Sequence, residues 1–359
     1  MTPSAVLIIP LTTALATMAL VPLARLLASK TGAIDHPGER KIHKAPIARL
    51  GGIAPALVFW TAAALGFAAL TDPFFQKFLG EGLKDAPTVG PRLTGILLGS
   101  SIAFLTGLTD DIFGSRFPFW GKALGQFTAA LCVVLGGVST SFLPHAILNG
   151  ILTIFWLIGI TNAFNLMDNM DGLASGVALI ASSVLVVNAL TSGENLIAAL
   201  TLAYIGVLVG FLYFNFNPAT IFLGDCGSHF VGFVLASILL LDRYVTSASS
   251  SYFPILMPVL LLAVPIIDTT TVVIIRLREG RPIYVGDARH LSHTLVARGF
   301  SQKGSVLLIY LMTLCLGLSA LPLRDASLTA TFIVLLQSSC FIAVIILLMF
   351  SGHRPEVKS

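Results

Sequence analysis

Charge is what this chain has least of. Across 359 residues Lys and Arg supply 21 and Asp and Glu 17, so 11% of the chain is charged, against about 25% in a soluble globular domain. With 56% of residues hydrophobic, the composition excludes a charged, water-facing fold and points to lipid as the solvent. Cysteine is scarce as well. Cys132, Cys226, Cys315 and Cys340 show no C-x-x-C spacing, which argues against a disulfide framework or a zinc site. Cys226, beside Asp225, reads as a small residue filling a tight turn ahead of a reactive thiol. No low-complexity tract, internal repeat or appended soluble domain is visible. The formal charge of +4 says little by itself, and no nucleic-acid partner is expected. Residues 1–28 lack the basic start of a cleaved signal and are too apolar for too long, so they are expected to stay as a first span.

What is abundant is apolar sequence in membrane-length runs. A span needs roughly 17–25 such residues, and eleven candidates occur, at 4–28, 51–70, 93–109, 122–138, 147–164, 173–191, 196–213, 227–242, 253–277, 304–322 and 327–350. The expected fold is an all-α integral membrane protein, one polytopic domain over 1–359. Placing 29–50, 110–121, 165–172, 214–226, 278–303 and the C-terminal tail inside, and counting juxtamembrane residues with their nearest loop, puts sixteen of the 21 Lys and Arg there. That asymmetry predicts the N-terminus outside and the C-terminus in the cytoplasm. The acids and histidines of interest then all fall on the cytoplasmic side.

The densest polar stretch is N-A-F-N-L-M-D-N-M-D-G, Asn162 to Gly172, set between two long apolar runs. At helical spacing Asn162, Asn165, Asp168 and Asp171 recur every three residues along one face. Polar groups costly in lipid are thereby aimed at one spot near a membrane surface; a solvated acidic loop is the plainer alternative. Asp110 and Asp111 close the third span. Neighbours on a helix point about 100° apart, so one is expected to face a cavity while the other orients a loop or helps hold a metal. Two acids at a helix C-terminus oppose the macrodipole, so a compensating cation or ligand is expected.

Asp225, in F-L-G-D-C-G-S, suits a helix N-cap and suits a Mg²⁺ ligand equally, since Mg²⁺ takes one or two carboxylates plus substrate phosphates. Phe222 has the shape to stack on a base or to anchor at the lipid boundary. Two loops are basic. One carries Lys44 and Arg49; the other carries Arg289, with His290 and His293 at i and i+3, one helical face. Single cations satisfy membrane topology, whereas the histidines can also donate to phosphate or exchange protons near neutral pH. Asp268 is the acid deepest within a span, an expected hydrogen-bonding partner of neighbouring helices. Carboxylates for a metal and cations for phosphate oxygens are equipment for phosphoryl transfer. The alternative from another class is a secondary transporter of nucleotide-sugars or organic anions, which would place its site at mid-membrane on broken helices of inverted repeats.

From Asp35 to Ser301 the chain resembles the polyprenyl-phosphate N-acetylhexosamine-1-phosphate transferases. D-H-P-x-x-R-K-I-H, R-L-G-G and R-H-L-x-H are closest to the undecaprenyl-phosphate N-acetylglucosamine-1-phosphate branch. The resemblance implies a Mg²⁺-dependent enzyme, with Mn²⁺ a substitute, that moves a sugar 1-phosphate from a UDP-sugar to undecaprenyl phosphate and releases UMP. Phospho-N-acetylmuramoyl-pentapeptide transferase activity is the nearest alternative, and a homodimer stays open. By position, Asp110, Asp111 and Asp168 are implied as the catalytic acids and Asp225 and Asn165 as metal ligands. Lys44, Arg49, Asp171, Phe222, Arg289, His290 and His293 are implied as substrate-binding residues. Ser292 and Ala48 depart from the pattern, where the branch often has histidine and proline.

Overall fold

The computed structural model describes residues 1–35, 46–68, 72, 77–78, 86–242, 244, 253–282, 289–324 and 327–350. They form two compact units, Met1–Arg243 and Tyr244–Ser359. The first holds α1 (Pro3–Thr31), β1 (Ile34–Asp35), β2 (Ile47–Ala48), α2 (Ile53–Ala68), α3 (Ala86–Phe113), α4 (Phe119–Leu135), α5 (Ala146–Met167), α6 (Leu173–Thr191), α7 (Asn195–Asn215) and α8 (Gly224–Leu241). The second holds α9 (Met257–Leu261), α10 (Ala263–Arg278), α11 (Leu291–Ala297), α12 (Gln302–Ala320) and α13 (Leu328–Phe350).

The chain is a multi-span, all-α membrane protein, but the count of spans differs from the sequence expectation of eleven. Among the described residues eight helices are long and apolar enough to cross a bilayer, or nine if α9 and α10, bent 73° about a break, form one broken span. The difference lies in α2 and α4, whose 16 and 17 residues are marginal against the roughly 20 that span the hydrocarbon. Gly136 and Gly137 end α4, with Gly137 at φ 83°.

Burial sorts the helices by solvent. In α8 every residue from Cys226 to Leu239 is buried, as expected of a helix apolar on all sides and enclosed by protein. It packs on α3 and α5, with α2, α6 and α7 beside it. By contrast α1 exposes Leu7, Leu11, Leu15 and Leu23, and α13 exposes Phe332, Ile333, Leu336 and Leu347. In lipid such exposure carries no penalty, so helix association must come from close packing. Gly206 and Gly210 of α7 supply it: a Cβ at either would overlap the backbone of α1 at Pro10 or Ala14. This is the small-xxx-small spacing that lets two membrane helices approach.

That packing yields a stability prediction. Gly210→Leu should lower the thermal unfolding midpoint in detergent, reflecting the roughly 1–3 kcal/mol of an overpacked contact. Gly66→Ala, where a Cβ meets nothing within 4 Å, should not lower it.

Candidate active site

The site is built around the first turn of α8. Three glycine contacts bring backbones together there. A Cβ at Gly52 would overlap Gly227, one at Gly107 of α3 would overlap the Asp225 carbonyl, and Gly224, at φ 74°, lies against the Arg49 carbonyl. The R-L-G-G segment is thus held to the loop before α8 by its main chain. Gly51 N donates to Phe222 O (3.0 Å), Gly52 N to Leu223 O (2.9 Å) and Phe222 N to Ala48 O (2.8 Å). Ala48, paired to Ile34 across the β1–β2 hairpin, also bridges Ile221 in parallel.

Asp111 fixes the same turn from α3. Its Oδ1 accepts from Asp225 N (3.0 Å) and its Oδ2 from Cys226 N (2.9 Å), and its side chain is fully buried. Two amides that begin a helix lack intrahelical partners, and a carboxylate there also complements the dipole. The adjacent acids have therefore divided their work. Asp111 caps α8 and orients it, while Asp110 turns the other way, toward Lys122. Capping by Asp111 relieves Asp225 of the N-cap role, so the Asp225 carboxylate is turned outward to side chains. Cys226 is buried with no exposure, the small residue expected of this turn.

Lys122, three residues from the start of α4 and not singled out in the sequence, joins these groups. Its Nζ lies 2.8 Å from Asp110 Oδ2, 3.0 Å from Asp225 Oδ2 and 3.5 Å from Asn165 Oδ1. Asn165 Nδ2 in turn donates to Asp225 Oδ1 (3.1 Å) and Ser228 Oγ (3.0 Å), which aims the amide oxygen of Asn165 at the ammonium. Two carboxylates and one amide oxygen thus converge on a point held by a cation. Hard oxygen donors in that number fit Mg²⁺, which completes its shell with water and substrate phosphates. Among the described residues no three His, Cys, Asp or Glu groups could hold a metal unaided, so any such ion would depend on Asn165 and on ligands brought from outside.

One turn beneath, a buried network ties three helices. Asn162 and Gln126 exchange both amide bonds, at 2.8 and 3.0 Å. Gln126 Nε2 also meets His229 Nε2 at 3.0 Å. An amide N–H must donate there, so the other imidazole nitrogen, Nδ1, carries the proton and donates to Asp225 O at 2.7 Å. Gln126→Leu should cost about 1–3 kcal/mol for each polar group it leaves unpaired, read as a lowered unfolding midpoint.

The four-residue stripe expected of Asn162, Asn165, Asp168 and Asp171 is only half helical. α5 ends at Met167, Asp168 is its C-cap at φ −74°, ψ 55°, and Gly172, at φ 75°, starts α6. Only Asn162 and Asn165 share the helix. Asp168 nevertheless sits in the same field. Desolvation, joined by the negative charges of Asp225 and Asp111, pushes its pKa up to about 8. An unfolded-chain Asp releases its proton near pH 4, so between about pH 4 and 8 the folded state holds the proton more tightly and stability falls as pH rises. Asp168→Asn should flatten that fall when unfolding midpoints are compared across the interval.

Asp171 braces the neighbouring loop: its Oδ2 accepts from Asn217 Nδ2 (2.9 Å) and Ala219 N (3.0 Å). Asn215 does likewise from the far side, donating to Ile221 O (3.0 Å) and accepting from Ser175 Oγ (2.9 Å). Phe222 is half-buried between the buried Ile221 and Leu223. Arg49 lies 3.7 Å from Asp111 and 3.9 Å from Asp35. Lys44 lies outside the described residues.

In the second unit, Asp268 Oδ2 and His290 Nδ1 are 2.7 Å apart, and Asp268 Oδ1 accepts from Leu291 N (2.6 Å). His290 is the N-cap of α11, so of the two histidines only His293 lies within the helix. Burial and the neighbouring His290 lower the pKa of His293. Arg289 pairs with Glu279 at 2.5 Å, and the guanidinium holds that carboxylate below its ordinary range. An exposed pair of this kind adds little to stability.

Comparison with known proteins agrees with this architecture. Residues 93–242 match the Glycosyl transferase family 4, a stretch that contains Asp110, Asp111, Lys122, Asn165, Asp168 and Asp225. A probable undecaprenyl-phosphate N-acetylglucosaminyl 1-phosphate transferase of Bacillus subtilis (strain 168) is 33% identical over 92% of this chain and 88% of that one. A decaprenyl-phosphate N-acetylglucosaminephosphotransferase of Mycobacterium leprae is 32% identical over 85% and 80%. A phospho-N-acetylmuramoyl-pentapeptide-transferase of Limosilactobacillus fermentum is 38% identical, but over only 41% of this chain and 50% of that one. With a cation-centred oxygen cluster at the head of α8 and similarity along nearly its whole length, this chain belongs to the polyprenyl-phosphate hexosamine-1-phosphate transferase family and is an enzyme of that class.

Proposed function

We propose that the protein transfers N-acetylglucosamine 1-phosphate from a UDP-sugar to undecaprenyl phosphate, releasing UMP at the cytoplasmic face of a bacterial membrane. The observation that carries this reading is the convergence of Asp110, Asn165 and Asp225 on one cation position. The full-length similarity to the Bacillus and Mycobacterium enzymes supports the polyprenyl phosphate acceptor and the N-acetylglucosamine donor. Similarity to the pentapeptide transferase covers less than half the chain, which ranks that activity second. The site's place at helix ends, away from mid-membrane, speaks against the transporter alternative. The excess of Lys and Arg in the inward segments supports the cytoplasmic orientation.

In this reaction an oxygen of the lipid phosphate forms a bond to the phosphorus that carries the sugar, and the bond from that phosphorus to UMP breaks. Asp110, Asn165 and Asp225 would hold Mg²⁺, which when bound offsets the negative charge of the diphosphate. Asp111 keeps the α8 turn in register, so the Asp225 oxygens stay aimed. Asp168 is suited to take the residual proton of the lipid phosphate. Burial and the neighbouring carboxylates raise its pKa to about 8, so its unprotonated fraction is a stronger base than a free carboxylate, set against a second pKa of about 6 for phosphate monoesters. Phe222, held at both its N–H and C=O, offers a ring to the uracil. Asp171 supports that loop. Arg49, Lys44, Arg289, His290 and His293 are assigned to phosphate and sugar contacts on the strength of the resemblance.

Purified protein in detergent, given UDP-N-acetylglucosamine, undecaprenyl phosphate and Mg²⁺, should release UMP without any sealed compartment. Asp225→Ala should abolish release while keeping its elution profile. Asp168→Asn should lower kcat by about 10²–10⁴, the usual range for one general base. Silence with a panel of UDP-sugars would overturn the enzymatic reading.

A further inference from the structure

The Lys122 ammonium stands where a divalent ion would stand. It is bonded to Asp110 Oδ2, Asp225 Oδ2 and, more loosely, Asn165 Oδ1, the same three oxygens that the proposed function gives to Mg²⁺. An ion ligated at about 2.1 Å would lie well within 4 Å of that nitrogen. Two cations at such a distance, with the side chains around them four-fifths shielded from solvent, repel strongly. They cannot hold these oxygens together. With neither cation present, Asp110 and Asp225 would face each other and one of them would have to take up a proton.

Lys122 has the means to leave. Its flexible four-carbon stem carries a compact ammonium, rises from the first turn of α4 and is about one-fifth exposed. A sugar-nucleotide diphosphate would bring both the new negative charge that attracts the ammonium and the oxygens that complete a metal shell.

We infer that Lys122 is an exchangeable internal cation. It neutralises Asp110 and Asp225 in the substrate-free protein and surrenders them to a divalent ion when a diphosphate offers its ammonium new partners. The inference rests on the transferase reading of this site and adds an order of events to it. The substrate-free protein resists the metal, and the metal is taken up together with the diphosphate. Lys122 then spends the reaction on phosphate oxygens, a substrate-binding residue whose first task is to guard the site.

The test uses Mn²⁺ alone, titrated into the full-length protein in detergent while free Mn²⁺ is followed by electron paramagnetic resonance. Lys122→Gln, which removes the competing charge, should bind Mn²⁺ at least about tenfold tighter than wild type. Lys122→Arg, which retains it, should bind no tighter. Adding Asp225→Asn to Lys122→Gln should erase the gain and so locate it. Lys122→Met serves in place of Lys122→Gln if the latter elutes as aggregate. Wild type offers a test without any substitution: saturating UDP should tighten Mn²⁺ binding at least about tenfold. Folded neutral variants that bind Mn²⁺ no tighter than wild type, or wild-type affinity unmoved by UDP, would overturn the inference. UMP release, assayed in parallel, separates the two proposals. Turnover without any gain in Lys122→Gln removes the exchange and leaves the transferase; a gain without turnover on any UDP-sugar removes the transferase reading.

Discussion

Mutual repulsion among carboxylates is the constraint that the first unit is arranged to contain. Asp110, Asp111, Asp168 and Asp225 share one electrostatic field at the end of a helical bundle, where bulk water is partly excluded. Each is accommodated differently. Asp111 gives both oxygens to the amides of α8, Asp110 and Asp225 share one ammonium, and Asp168 holds its proton up to about pH 8. A soluble protein would let such charges spread into solvent. Here the helices that carry them are fixed by glycine contacts, so the charges have to be answered where they stand.

The same rigidity explains why the backbone matters as much as the side chains. Gly52, Gly107 and Gly224 admit two chain segments, R-L-G-G and α3, to within van der Waals contact of the α8 start. The main-chain bonds from Gly51 and Gly52 then set Phe222 and Leu223 in register with the metal-facing turn. Beneath them, Gln126, Asn162 and His229 are mutually satisfied, which costs little because every donor finds an acceptor. Site geometry is therefore a property of helix packing, with the polar groups beneath the site admitted as one mutually bonded set.

Much of this was legible in the sequence, and the limits have physical causes. Composition and apolar runs foretold a helical membrane protein, and each of the eleven runs overlaps a helix. Span number was less certain because a 16- or 17-residue apolar helix sits at the length boundary. The paired acids suggested one facing inward and one orienting, which is how Asp110 and Asp111 divide. Helical periodicity misled where the helix stops: Asp168 lies in a cap and His290 precedes its helix, since local capping overrides spacing. Lys122 was hidden because a single lysine at a helix start looks like any topology-setting cation. Its carboxylate partner Asp225 is 103 residues away, as is the His229 partner of Gln126. Long-range polar pairings of this kind leave no mark on local pattern.

Whether Asp110, Asn165 and Asp225 share one cation position is decided by anomalous scattering from crystals grown with Mn²⁺ and UDP. One strong peak is expected within coordination distance of Asp225 Oδ2, with Lys122 Nζ moved from its place between the two aspartates. A peak elsewhere, with Lys122 still bonded to Asp110 and Asp225, would contradict it.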